Sequence, residues 1–168
     1  MYFFTDKGDG SCENSINNNK IPDERNNVNK NKFLRVLYFN ARSIRNKINE
    51  LKALIAVENI DVIAISETWT NFNTRDYKGE FELSGFQLFN KDRINKRGGG
   101  VLIYCRHNLE AEEINVRAIP ALEIVAVKIK GKLNTVNIAV VYRPPGQNAD
   151  LDFSLYSALT ELTSQKEL

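Results

Sequence analysis

Hydrophobic and polar positions alternate in a pattern that predicts a strand, a helix and a second strand between residues 33 and 66. Residues 33–40 and 61–66 are short apolar runs rich in β-branched and aromatic side chains, which is typical of buried strands. Residues 43–58 repeat apolar side chains at three- and four-residue spacing, which predicts a helix with Ser43 as its N-cap. Its predicted inward positions are Ile48, Leu51, Leu54 and Ile55. Because a helix joins the two strands, we expect them to pair in parallel.

The later part of the chain predicts four more strands and a final helix. Strands are predicted over residues 86–93, 123–130 and 134–145, residues 96–106 are predicted to be a glycine hinge that opens into a strand, and a helix is predicted over 150–168. The last two strands alternate apolar with polar residues around a short glycine-containing segment, so we expect a hairpin that is covered on one face. The helix is predicted to bury Phe153, Leu155, Leu159 and Leu162. This order of elements predicts an α+β domain, a layered α/β sandwich.

Residues 1–32 differ in composition from the rest of the chain. Residues 14–32 are dominated by Asn, Lys, Asp and Glu and have no apolar periodicity. Such a tract buries too little surface to offset the entropy that is lost on ordering. We therefore expect a disordered Asn/Lys-rich leader over residues 1–32 and a folded domain over residues 33–168.

Composition narrows the class of protein without identifying a partner. The chain has 168 residues, of which 42% are hydrophobic, enough for one domain with a core. Its 23 basic and 21 acidic residues give a net charge of +2, which neither requires nor excludes nucleic acid. Cys12 and Cys105 cannot form a disulfide framework, which favours an intracellular, reducing setting. No apolar run approaches about 18–20 residues, so we expect a soluble protein with no membrane partner.

Polar side chains follow three predicted strands at the points where those strands end. Asn40 ends the first strand, Glu67 follows the second, and Tyr142 lies at the end of the last. The carboxyl ends of parallel strands lie at the same edge of a sheet, where ligands gather, so Asn40 and Glu67 should be neighbours. Their amide and carboxylate oxygens suit Mg²⁺ and not Zn²⁺. Each residue also has a purely structural alternative, as a turn-forming Asn, a solvated Glu and a core Tyr.

Two further features are better explained by structure than by chemistry. Gly98, Gly99 and Gly100 precede a strand, whereas the glycines of a phosphate-binding P-loop follow a strand and lead into a helix. We expect this run to be a tight turn that another part of the backbone approaches closely. His107, the only histidine, has no catalytic motif beside it and is expected in a surface loop.

Four segments, in order, resemble the endonuclease/exonuclease/phosphatase superfamily. They are LYFNARSIRNKINELKALI, DVIAISETW, GFQLFNKDRINKRGGGVLIYCR and VNIAVVYRPP, and the resemblance covers residues 33–165. The variant that they resemble is the endonuclease domain at the N-terminus of non-LTR retrotransposon polyproteins. The resemblance implies a four-layered α/β sandwich that hydrolyses phosphodiester bonds with a divalent metal, Mg²⁺ or Mn²⁺. It further implies a DNA target duplex as the partner and the nucleus as the location.

The resemblance also implies a role for each of the three strand-end residues. Asn40 in FNARS is similar to the family's active-site Asn, near the metal and the scissile phosphate. Glu67 in SETW is similar to the metal-binding acid, and Tyr142 in VYRPP is similar to the phosphate-contacting Tyr. The expected catalytic residues are therefore these three, with Glu67 and Asn40 at the metal. A metal held by a carboxylate can polarise a phosphoryl oxygen and stabilise charge on the leaving oxygen.

The chain departs from the family downstream of YRPP. Complete members carry a Gly-Asp-Phe-Asn type motif and end with a Ser-Asp-His type motif, and neither is found here. We therefore expect a truncated domain, mainly the first sheet and its helices, that is inactive alone. Without the missing half or a partner chain, the inner face of that sheet would be uncovered. Such a product would be marginally stable or aggregation-prone, with an open strand edge.

Two other functions stay open at the level of the sequence. The domain could be a non-catalytic module that contacts nucleic acid or another protein. Its phosphate contacts would then be the basic residues Lys91, Arg93, Lys96 and Arg97. It could also be a phosphatase of the same superfamily, because the loops that select such substrates lie largely in the missing half.

Overall fold

The computed structural model describes residues 2–5, 33–73, 76–93, 98–117, 119, 122–131, 134–146 and 149–164 of the chain. Its strands are β1 (Tyr2–Thr5), β2 (Val36–Asn40), β3 (Val62–Ser66), β4 (Phe86–Lys91), β5 (Val101–Arg106), β6 (Ala111–Glu113), β7 (Glu123–Lys130) and β8 (Thr135–Tyr142). Its helices are α1 (Ile48–Val57) and α2 (Ala149–Ser164), and short 3-10 turns span Lys78–Phe81 and His107–Leu109.

The strands form two four-stranded sheets. The first sheet has the order β2-β3-β5-β4, in which β2 and β3 pair in parallel, as the helix between them predicts. The other pairs of that sheet are antiparallel. The second sheet has the order β1-β8-β7-β6 and is antiparallel throughout. It contains the predicted hairpin of β7 and β8.

The two sheets pack face to face, so the expectation of an uncovered inner face on the first sheet is wrong. Alternate residues of β3 and β5 meet alternate residues of β7 and β8 in one buried cluster. The cause lies in β7 and β8, whose two-residue alternation gives each strand an apolar face that covers the first sheet. Burial in this cluster raises the pKa of the Cys105 thiol to about 12. The cluster includes Val62, Val101, Ile103, Val125, Val127, Ile138 and Val140.

The helices cover the outer faces of the two sheets, which gives four layers. Helix α1 packs on the first sheet through Leu51. Helix α2 packs on the second sheet over Ala126 and Ala139, so β7 and β8 are covered on both faces there and not on one face as predicted. The layered α+β class is confirmed, but the prediction of mainly one sheet is wrong. The buried positions of α2 are Leu151, Leu155, Leu159 and Leu162.

The start of helix α1 and the exposure of one residue in each helix differ from the prediction. Helix α1 begins at Ile48 with Lys47 at the N-cap position, so Ser43 is not its N-cap. Arg42 and Ser43 have positive φ (45° and 90°), which a right-handed helix and its N-cap do not adopt, and this segment bonds instead to the one that follows β3. Leu54 and Phe153 were both expected to face the core, but they are 39% and 77% exposed.

Of the predicted leader, the structure describes only residues 2–5, which form β1 at the edge of the second sheet. This strand was not predicted, although its Tyr-Phe-Phe-Thr sequence has the aromatic and β-branched residues that strands favour. The rest of the leader, including Cys12, lies outside the described residues, and the boundary between leader and domain stays a prediction. Within the described part of the chain, no helix is long and apolar enough to cross a membrane.

Candidate active site at the carboxyl edge of the first sheet

Asn40 and Glu67 meet at the edge where β2 and β3 end. The parallel register sets Asn40 opposite Ser66, so Glu67 follows one residue beyond it. The Nδ2 of Asn40 donates a hydrogen bond to Oε1 of Glu67 at 2.9 Å. The two side chains are therefore in contact, as the strand pairing predicts, with Asn40 exposed and Glu67 half-buried.

The segments that follow β2 and β3 interlock through their backbones. Three N–H groups of residues 41–44 donate to three consecutive carbonyl oxygens of residues 66–68, at 2.8 to 3.0 Å. Non-glycine residues with positive φ cost about 1–3 kcal/mol each and persist where surrounding contacts fix the backbone, often at functional sites. The interlocked backbone thus fixes Glu67 relative to Asn40. The residues with positive φ here are Arg42 (45°), Ser43 (90°), Glu67 (51°) and Trp69 (56°).

A buried chain of hydrogen bonds holds the residues that follow Glu67. The hydroxyls of Thr68 and Thr70 lie 3.0 Å apart, and Thr70 Oγ1 donates to Oδ1 of Asp92 at 2.8 Å. The other Asp92 oxygen accepts the Phe72 N–H at 2.7 Å. Each of the three polar residues is buried, so the bonds form in a low-dielectric setting that strengthens them. Asp92 thereby anchors the Glu67 segment to the end of β4, a link that sequence reasoning missed.

The glycine run lies directly beside this segment. The Gly99 carbonyl accepts the Trp69 N–H at 2.9 Å and the Gly100 carbonyl accepts the Thr68 N–H at 3.3 Å, which confirms the predicted close approach of another backbone. A Cβ on Gly99 would lie 2.6 Å from Arg93 Nε, and one on Gly100 would lie 2.5 Å from Thr68 Oγ1. A side chain at position 99 would therefore force Arg93 to shift, and one at position 100 would force Thr68 to shift.

Gly100→Ala should lower the free energy of unfolding more than Gly85→Ala. The two glycines have φ of 81° and 82°, so both substitutions place a Cβ at a left-handed φ that L residues rarely adopt. Gly85 has open space around it, whereas the Cβ at position 100 would press on the Thr68 hydroxyl. We expect an excess loss of about 1–3 kcal/mol for Gly100→Ala, measured by urea unfolding. Equal losses in the two variants would contradict the packing role of Gly100.

Tyr142 ends β8 and lies against a buried ion pair. Its cross-strand partner is Glu123, whose Oε1 accepts Arg93 Nε at 2.7 Å. The guanidinium carbon of Arg93 lies 5.0 Å from the centroid of the Tyr142 ring, within the range of a cation–π contact. Arg93 is therefore not the free basic residue that the interaction-module alternative requires. Arg93 directly follows Asp92 in the chain, so the residue that contacts Tyr142 is covalently linked to the residue that anchors the Glu67 segment.

The other residues considered from the sequence lie elsewhere. His107 follows β5, which is antiparallel to β3, so it lies at the opposite edge of the first sheet from Glu67. It is exposed in a 3-10 turn, which confirms its predicted surface position. Lys91 is exposed, and Lys96 and Arg97 lie outside the described residues.

The donors at this edge fit a hard divalent cation. Mg²⁺ keeps several waters and commonly uses one or two carboxylates together with substrate oxygens, and the Glu67 carboxylate is a ligand of that kind. Zn²⁺ favours His and Cys ligands, and no group of three or more His, Cys, Asp and Glu that could hold a metal occurs among the described residues. The Oδ1 of Asn40 accepts the Arg42 N–H at 3.2 Å, so its amide nitrogen, and not its oxygen, faces Glu67.

A model of the Endonuclease/Exonuclease/phosphatase family matches residues 27–165, a span that includes every element from β2 to α2. Among curated proteins, the RNA-directed DNA polymerase from mobile element jockey of Drosophila melanogaster is 28% identical over 134 residues. The matched region is 75% of this chain and 14% of that protein, so the chain spans a small part of the length of this relative.

Solved structures of nucleases and phosphatases share the fold. An AP endonuclease from Leishmania major gives a TM-score of 0.56 at 16% identity, over 84% of this chain and 52% of that one. The 3′ phosphatase NExo from Neisseria, bound to a product DNA hairpin, gives a TM-score of 0.55 at 17% identity, over 77% of this chain and 51% of that one. The chain thus has the fold of about half of each of these proteins.

Proposed function

We propose, from the premise that the chain belongs to the endonuclease/exonuclease/phosphatase family, that it is part of a divalent-metal-dependent phosphodiesterase that nicks DNA. The observation that carries this proposal is the contact of Asn40 with Glu67 at the carboxyl edge of the first sheet. Ligands of such sheets gather at that edge. The backbone that carries both residues is fixed by hydrogen bonds and keeps positive φ at non-glycine positions, as functional sites often do.

In this proposal Glu67 holds Mg²⁺ or Mn²⁺ through its carboxylate, and Asn40 orients that carboxylate through its amide. For its oxygen to bind the same ion, the Asn40 amide would have to turn and give up the bond that Oδ1 accepts from the Arg42 N–H. Tyr142 contacts the phosphate, and its ring lies against Arg93, which is paired with Glu123. The metal, when bound, supplies charge that stabilises the phosphoryl and leaving oxygens. Asn40 and Tyr142 supply neutral donors that orient the phosphate.

The proposed substrate is duplex DNA, and the proposed parent protein is a retrotransposon polyprotein that acts in the nucleus. The support is the 28% identity to the jockey polymerase and the fold shared with DNA-processing enzymes. The chain covers 51% to 52% of those two enzymes, and it lacks the family's downstream motifs. We therefore propose that it is inactive alone and requires the remaining part of the domain.

A titration with Mn²⁺ tests the metal site. Wild-type chain should bind Mn²⁺, detected as a loss of the free-ion electron paramagnetic resonance signal, because carboxylate and amide oxygens suit this ion. Glu67→Gln should abolish the binding, and Asn40→Ala should weaken it about 10- to 100-fold, as loss of a group that orients a ligand does. Glu58→Gln is the matched control, since Glu58 is exposed at the end of α1 and pairs with Arg35. Unchanged binding by Glu67→Gln would contradict the proposal.

A further inference from the structure

Arg42 lies in the interlocked segment that joins β2 to α1, two residues after Asn40. Its neighbours Ala41 and Ile44 are fully buried, whereas Arg42 is exposed. Its N–H donates to Oδ1 of Asn40 at 3.2 Å, so its backbone is bonded to the candidate site itself. The guanidinium is thus carried on a residue that directly contacts the Asn40–Glu67 pair.

The backbone that carries Arg42 is fixed on both sides. Ala41 N–H donates to Ser66 O at 2.8 Å, and Ser43 N–H donates to Glu67 O at 3.0 Å. Arg42 itself has a φ of 45°, in the left-handed region that non-glycine residues rarely occupy. Because the surrounding contacts fix this backbone conformation, the Arg42 side chain extends from a fixed position beside Glu67.

The charge of Arg42 is not balanced by a carboxylate among the residues that the structure describes. Other arginines near this face are neutralised: Arg45 by Asp76 and Glu80, and Arg93 by Glu123. Glu67, the acid of the candidate site, accepts a hydrogen bond from Asn40. An Arg guanidinium binds phosphate oxygens through two parallel N–H donors, and it is less strongly hydrated than an ammonium. The free cation at this rim therefore matches a phosphate group.

We propose that Arg42 binds a backbone phosphate of duplex DNA that flanks the phosphodiester held at Glu67. That this phosphate flanks the phosphodiester at Glu67 rests on the proposed function. The contact of Arg42 with a phosphate is tested independently of that function. One neutralised phosphate contributes about 0.9 to the slope of log K against log salt concentration, because its counterion is released on binding.

The test is the salt dependence of binding between this chain and a fluorescently labelled DNA duplex. Arg42→Gln should weaken binding and reduce the magnitude of the slope by about 0.9. Arg42→Lys should restore the slope, because it keeps the charge on the same backbone. Arg117→Gln removes the same charge from an exposed residue beside α2, away from Asn40 and Glu67, and should leave the slope unchanged. Thermal unfolding of each variant checks that the fold is retained.

The proposal would be overturned by no DNA binding at low salt, by an unchanged slope in Arg42→Gln, or by an equal change in Arg117→Gln. An effect of Arg42→Gln on an RNA duplex but not on DNA would also overturn it. The metal site is judged separately by the Mn²⁺ titration. If Mn²⁺ binds as expected but the slope is unchanged in Arg42→Gln, only the role of Arg42 is wrong. If the slope changes as expected but Mn²⁺ does not bind, only the metal site is wrong.

Discussion

Glu67→Gln should lower the rate of plasmid nicking by at least about 10²–10³-fold in a longer chain that includes the rest of the domain. Glutamine keeps the size of the side chain and can still contact Asn40, but it removes the carboxylate that accepts the Asn40 hydrogen bond. We therefore expect the variant to lose activity because it lacks the negative charge that holds the metal, while its fold is retained. Agarose gels that separate supercoiled from nicked plasmid in Mg²⁺ measure the effect.

Two comparisons sharpen this experiment. The chain of 168 residues should not nick the plasmid by itself, and the longer chain should. Glu58→Gln in the longer chain should nick at the wild-type rate, because Glu58 lies at the surface with Arg35. Equal nicking with and without the Glu67 carboxylate would show that another residue holds the metal. Activity only on phosphate monoesters would favour the phosphatase alternative.

Glu123→Leu should lower the free energy of unfolding by about 3–5 kcal/mol. The side chains of Arg93 and Glu123 are only 14% and 7% exposed, so loss of the acid leaves an uncompensated, largely buried cation. The position of the pair adds to the effect, because Arg93 lies over Tyr142 and fills the space beside Gly99. Urea unfolding followed by circular dichroism measures the loss.

The double variant Arg93→Met, Glu123→Leu distinguishes the cost of an unpaired buried charge from the cost of a change in packing. Replacement of both partners by apolar groups removes the unpaired cation, so most of the stability should return. Glu58→Leu supplies the surface comparison: its side chain and that of Arg35 are 49% and 53% exposed, and such pairs contribute about 1 kcal/mol or less. A loss for Glu123→Leu as small as that for Glu58→Leu would contradict the buried ion pair.

Much of this fold can be predicted from the sequence because the connection between strands and the alternation of apolar residues are local features. The helix between β2 and β3 requires a crossover, which fixes their parallel pairing and brings Asn40 and Glu67 to one edge. The alternation in residues 123–130 predicts β7 with its correct limits. The alternation does not show what covers either face of the strand, so the closure of the first sheet by β7 and β8 is visible only in the structure.

The parts that were not predicted depend on contacts between distant residues. Ser43 has the chemistry of an N-cap, but bonds from residues 41–44 to residues 66–68 override that preference. Arg93 resembles a basic loop residue until the fold brings Glu123, 30 positions away, within 2.7 Å. The chemistry of Asn40 and Glu67 is visible in the sequence, whereas the Asp92 anchor and the orientation of the Asn40 amide are visible only in three dimensions.

The most direct test of the metal site uses Mn²⁺ as a paramagnetic probe in nuclear magnetic resonance spectra of this chain. Broadening of the backbone amide signals should be strongest for residues 40–44 and 66–70, which surround the Asn40–Glu67 contact, and Glu67→Gln should remove it. Broadening that centres on another part of the molecule, or that persists in Glu67→Gln, would contradict a metal site at the carboxyl edge of the first sheet.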